Sequence, residues 1–132
     1  MKYICLGYIQ PGKFENMSEK ERHAMLDECC EYDNKLRESG HFSAGEALLP
    51  PDTAKTLRSR DGKVALTDGP YAETKEQLGG ILVLEARDLN HAVELISRHP
   101  GVKYGPWEIR PAADLSGLIR ESERRRGKAA GR

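Results

Sequence analysis

Thr67-Asp68-Gly69-Pro70-Tyr71-Ala72-Glu73-Thr74-Lys75-Glu76-Gln77-Leu78-Gly79-Gly80 lies mid-chain between two strand-like runs. It is too polar and too rich in glycine to be core. Asp68-Gly69-Pro70 is strong turn chemistry, because Gly takes positive φ and Pro fixes its own φ while restraining its predecessor. Ala72 to Gln77 then crowds charged and hydrogen-bonding side chains into a loop or a short helical turn. Loops anchored on a rigid scaffold are where function is most often carried.

Working outward, Ile81-Leu82-Val83-Leu84-Glu85 follows as the most apolar run of the chain and predicts a strand covered on both faces. On the other side, Thr53–Ser59 and Lys63–Thr67 flank Arg60-Asp61-Gly62, and Asp-Gly between extended runs predicts a hairpin. Before it, His41 to Leu49 has strand character. Strict alternation would put Phe42, Ala44, Glu46 and Leu48 on one face, with Pro50-Pro51 ending the strand.

Tyr3 to Ile9 is a further apolar run, closed by Pro11-Gly12. Ser18 and Glu21 form a capping-box signature, and Met25, Cys29, Tyr32 and Leu36 recur at helical spacing up to the stop at Gly40. Asp88 is the expected N-cap of a second helix that turns Leu89, Ala92, Val93 and Ile96 inward, ended by His99-Pro100-Gly101. Trp107 to Arg110 alternates as a last strand, closed by Pro111.

Residues 1–112 therefore read as one domain, and 113–132 as a basic, partly disordered C-terminal tail. From Leu118 onward, Arg120, Arg124, Arg125, Arg126, Lys128 and Arg132 outweigh Glu121 and Glu123. No aromatic is interleaved for base stacking, so a solvated terminus is preferred over a nucleic-acid arm. Over the whole chain 21 basic residues balance 21 acidic ones, which gives no global pull towards nucleic acid or anionic membrane. No apolar run approaches the roughly 20 residues of a spanning helix. The three cysteines, two of them adjacent, make no disulfide framework, and a soluble cytoplasmic protein is expected.

Strand, helix, strand, inserted hairpin, strand, helix, strand is the order of a ferredoxin-like α+β sandwich. Two helices cover one face of its sheet. Because the strands near Tyr3–Ile9 and Ile81–Leu84 are apolar on both faces, a monomer would expose a large apolar surface. The expected solution is a homodimer with sheets packed face to face, about 10 Å apart.

Ala44-Gly45-Glu46-Ala47-Leu48 and the run from Val64 to Gly80 resemble the DGPFAETKE family of YciI-related proteins, as do Asp88-Leu89 and Glu108-Ile109-Arg110-Pro111. The resemblance implies a dimeric α+β barrel. Most members are uncharacterised, and many are known as neighbours of extracytoplasmic-function sigma factors in bacterial genomes. A few relatives are linked to lactone or halogenated-aromatic breakdown, with a His–Asp pair proposed as their site. Here Tyr71 stands where the motif usually has Phe. Cys29, Cys30 and Asp33 occupy the region where relatives commonly place a His, and His23 lies about two turns earlier.

Asp68 and Glu46 are the candidate catalytic carboxylates, and together they would form an acid/base pair in a small-molecule cleft. The structural alternative for Asp68 is pinning its own turn. For Glu46 it is a half-buried carboxylate held by Lys75, Lys55 or Arg58. Gly69, Pro70, Tyr71, Glu73 and Lys75 are the candidate ligand-binding residues. Tyr71 either points its hydroxyl into the cleft or packs as an aromatic plug, and Glu73, Lys75 and Glu76 form a loop ion-pair network that could act as a lid. Cys29-Cys30 reads as a redox pair or, because neighbouring helical residues face different ways, as packing. His23, His41, His91 and His99 show no ligand spacing, so neither metal nor cofactor is expected. The expected function is a YciI-like small-molecule-binding protein or low-turnover enzyme. The alternative is a non-catalytic partner in sigma-factor signalling.

Overall fold

The structure, a computed structural model, describes residues 1–127. Its elements are β1 (Lys2–Ile9), α1 (Glu19–Glu38), β2 (Phe42–Ala47), β3 (Lys55–Arg60), β4 (Lys63–Asp68), β5 (Gln77–Glu85), α2 (Leu89–Ser97), β6 (Trp107–Pro111) and α3 (Ser116–Arg125). Short 3₁₀ turns at Pro51–Thr53 and Pro100–Lys103 join them. Four strands form an antiparallel sheet in the order β2-β5-β1-β6, with β3-β4 a separate two-stranded ribbon. Without the inserted hairpin this is the ferredoxin-like order, so the α+β sandwich stands.

Local chemistry sets the element ends. Ser18 accepts from the Glu21 amide while Glu21 returns a bond to the Ser18 amide, completing the capping box of α1. Asp88 caps α2 by accepting from the His91 amide at 2.8 Å. At the hairpin tip Asp61 and Gly62 both take positive φ, the requirement of a type I′ turn between Arg60 and Lys63.

One sheet face is dry. Tyr3 and Cys5 of β1 lie beside Leu84 and Leu82 of β5, and with Leu36, Ala86, Ala92 and Ile96 they form the core beneath α1 and α2. The opposite, open face carries Ile4, Leu6 and Tyr8 of β1 beside Val83 and Ile81 of β5, all only partly buried. Both central strands are thus apolar on two faces, with helices over one of them.

Two expectations change. A bulge between Phe42 and Ala44 sends Phe42 towards Leu84 on the helix side and leaves Ala44 and Glu46 on the open face, so strict alternation fails. In α2 the buried side chains are His91, Ala92 and Ile96, whereas Leu89 and Val93 stand 44% and 48% exposed. The His91 ring turns back to accept the Arg87 amide, so an imidazole takes a place on the inward face. The stretch after β6, read as a partly disordered tail, contains α3, with Leu115, Leu118 and Ile119 exposed. The charges at Lys128 and Arg132 lie outside the described residues.

Gly105 shows how tightly the β6 approach is built. A Cβ there would drive into the Tyr8 carbonyl, while the Tyr8 amide donates to the Pro106 carbonyl at 2.9 Å. Gly105→Ala is expected to cost about 2–3 kcal/mol by overpacking, read as a lower denaturant midpoint with an unchanged slope.

Candidate functional site

The 67–80 stretch folds as two halves. In the first, Gly69 takes φ +94°, its amide donates to the Ala54 carbonyl at 2.7 Å, and its carbonyl accepts the Thr56 hydroxyl at 2.8 Å. Backbone and Thr56 therefore hold the turn. The exposed Asp68 carboxylate pairs with Lys55 directly across the ribbon. Turn-pinning by Asp68 is not what the geometry shows.

In the second half, the Gln77 amide nitrogen donates to the Ala72 carbonyl, the Thr74 carbonyl and the Thr74 hydroxyl. Thr74 donates in turn to the Glu76 carbonyl. Gln77 and Thr74 therefore order this irregular loop, with no helical turn in it. Among the described residues Glu73, Lys75 and Glu76, all exposed, make no ion pair with one another.

Between this loop, the ribbon and the end of the main sheet runs a groove of about 1090 Å³. Leu48, Leu57, Leu78 and Trp107 give it apolar walls, and Pro70, Tyr71, Lys55 and Lys75 stand along the loop side. Arg58 donates to the Tyr71 carbonyl at 3.0 Å and fixes that backbone. On the sheet side Tyr8 donates to Glu108 at 3.4 Å, and Arg110 donates to the other oxygen of the same carboxylate at 2.7 Å. Partial desolvation first, and the Glu108 carboxylate second, push the Tyr8 phenol above its ordinary range. Tyr8 and Glu108 can therefore offer a ligand acceptor oxygens, beside Lys75 as a cation.

Of the sequence-predicted residues, Pro70, Tyr71 and Lys75 line this groove. Asp68 reaches it through Lys55, whereas Gly69 shapes the turn and Glu73 faces outward. Glu46 sits exposed on the open face of β2. Among the described residues it has no ion pair with Lys75, Lys55 or Arg58 and no hydrogen bond to Asp68. Tyr8, Trp107 and Glu108 were the residues missed. The register of β1 against β6, Leu6 to Glu108 and Gly7 to Trp107, is what brings them to the groove.

A second polar cluster lies behind Trp107. His99 is 6% exposed, its Nδ1 accepts the Gly101 amide at 2.9 Å, and its Nε2 lies 3.1 Å from Asp33 of α1. The tautomer follows: Nε2 carries the proton and donates to Asp33. Both ring nitrogens are committed, so this pair ties α1 to the turn after α2. The imidazole also packs on Trp107 at 5.0 Å and edge-on to Tyr32 at 5.6 Å, so it sets the position of the groove's tryptophan. Beside Asp33, burial first and that carboxylate second push the Cys29 thiol up to about 11. Burial alone raises Cys5 to about 11, and Cys30 is exposed.

The chain belongs to the YCII-related domain family, whose model matches residues 1–116. It is 31% identical over 117 residues to an uncharacterised protein of Rhizobium meliloti (strain 1021), covering 86% of this chain and 93% of that protein. Among solved structures it is similar to the 5-chloro-2-hydroxyhydroquinone dehydrochlorinase of Burkholderia phenoliruptrix AC1100, in complex with 2,5-dihydroxybenzoquinone. That likeness has a TM-score of 0.51 at 15% identity over 86% of this chain and 94% of the other, and it shows a shared fold.

Two outcomes follow from this geometry. Asp68→Asn should cost less than about 1 kcal/mol of stability, because it removes one exposed ion pair and no backbone bond. Burial holds Cys5 and Cys29 in the poorly reactive thiol form at pH 7. A thiol reagent on the native protein should therefore modify Cys30 well before the other two, with all three reacting only in denaturant. Equal rates at Cys29 and Cys30 would contradict this assignment.

Proposed function

We propose that this YCII-related protein binds a small, flat, largely apolar molecule in the groove, as a binding protein or low-turnover enzyme. The observation that carries it is the composition of that groove. Apolar walls from Leu57, Leu78 and Trp107 meet a Tyr8–Glu108–Arg110 hydrogen-bonded set on one side and Tyr71, Lys55 and Lys75 on the other. Few convergent polar groups in an apolar cleft are the usual make-up of a small-molecule site. The ring-shaped ligand bound by the Burkholderia enzyme suits a cleft of this kind and supports the reading. In this account Asp68 is a positioning residue that holds Lys55 at the rim, and Tyr8 with Glu108 replaces the Glu46–Asp68 pair as the polar centre.

The working unit is a pair of chains with open sheet faces opposed, which would cover Ile4, Leu6, Ile81 and Val83 and complete the barrel. The alternative role in sigma-factor signalling has no support from the relatives or from the described residues.

Trp107 is the only tryptophan and lines the groove, so its fluorescence reports occupancy directly. Titration with 2,5-dihydroxybenzoquinone should give saturable quenching. Tyr71→Ala and Lys75→Ala should weaken it about tenfold each with unfolding midpoints unchanged. Unsaturable quenching, or identical curves in wild type and variants, would sink the reading.

A further inference from the structure

Charge is not spread evenly round the groove. Its charged lining residues are Lys55, Lys75, Glu76 and Glu108, and two of them are already matched. Lys55 pairs with Asp68 across the ribbon. Glu108 takes Arg110 at 2.7 Å on one oxygen and the Tyr8 hydroxyl at 3.4 Å on the other. A carboxylate has about four lone-pair sites, so Glu108 keeps about two for donors on a ligand, while Arg110 offsets its charge. Tyr8 spends its one proton on Glu108, and its oxygen is a further acceptor beside that carboxylate. Lys75 differs from both. It stands on the loop side of the groove with neither an ion pair nor a side-chain hydrogen bond among the described residues.

We infer that the groove selects a hydroxylated aromatic acid, bound as its anion, with the acid group at Lys75 and the hydroxyl at Glu108 and Tyr8. The inference rests on the small-molecule reading above and adds the charge and the orientation of the ligand. The walls of Leu57, Leu78 and Trp107 take the ring, the hydroxyl donates to an oxygen that still has room to accept, and the anion meets the unmatched ammonium. An amine of the same shape fits worse. Its ammonium would compete with Arg110 for Glu108, or stand beside Lys75 and Lys55. A neutral ligand satisfies the acceptors and gains nothing from Lys75. Glu76 is the lining carboxylate that opposes an anion, exposed and next to Lys75 in the chain. With that opposition, and with Lys75 itself exposed, the preference is several-fold rather than orders of magnitude.

Isothermal titration calorimetry with probes of one shape reads the charge directly: para-hydroxybenzoate, para-hydroxybenzyl alcohol and para-hydroxybenzylamine. At neutral pH the acid should bind about threefold to fivefold tighter than the alcohol, with the amine weakest. Lys75→Met should remove the advantage of acid over alcohol, and Glu76→Gln should enlarge it. Para-methoxybenzoate keeps the charge and lacks the donor, so it should bind about tenfold more weakly than para-hydroxybenzoate. Acid and alcohol binding equally in wild type, or an advantage that survives Lys75→Met, overturns the inference and leaves the groove reading standing. The amine binding tightest has the same effect. If no probe saturates while the quinone titrated above still does, this inference alone falls. If the quinone fails as well, both fall.

Discussion

A β-sheet has two faces, and in this chain the helices packed on it cover one of them. The rest of the structure depends on that constraint. Tyr3, Cys5, Leu82 and Leu84 are sealed beneath α1 and α2, whereas Ile4, Leu6, Ile81 and Val83 on the same two strands remain partly open. Burial of apolar area is the main favourable term in folding, so this core does its work on one side only. The groove and the exposed Glu46 lie towards the open side.

The groove owes its shape to close backbone approach. A Cβ at Gly7 or at Gly101 would collide with or crowd the Trp107 indole, and Gly105 presses against the Tyr8 carbonyl. The tryptophan is thereby held between sheet and turn. The His99–Asp33 pair stiffens that arrangement from behind, because both ring nitrogens are spent on the backbone and on α1. It is a His–Asp pair that joins α1 to the turn after α2, from residues 66 apart.

What could be seen in the sequence was local. The Ser18–Glu21 capping box, the Asp88 cap and the Asp61-Gly62 turn each depend on a few neighbouring residues, and the structure reproduces them. Element order gave the ferredoxin-like sheet because short connections leave few topologies open. The misreadings were non-local. The bulge at Phe42 is set by pairing with Val83 and Leu84, and it decides which way Glu46 faces. The buried face of α2 includes His91, whose ring accepts the Arg87 amide. His99 and Asp33 are 66 residues apart, and no spacing rule connects them. The Asp-Gly-Pro stretch marked the loop side of the groove, while Tyr8 and Glu108 come together only through strand register.

The central claim is that the open face and its groove are the functional side of this fold, closed by a second copy around a small molecule. Native mass spectrometry of freshly purified protein tests both halves at once. The account predicts a dimer mass carrying a small-molecule adduct that collisional activation strips off before the subunits separate. A monomer without adduct, across micromolar concentrations, would contradict it.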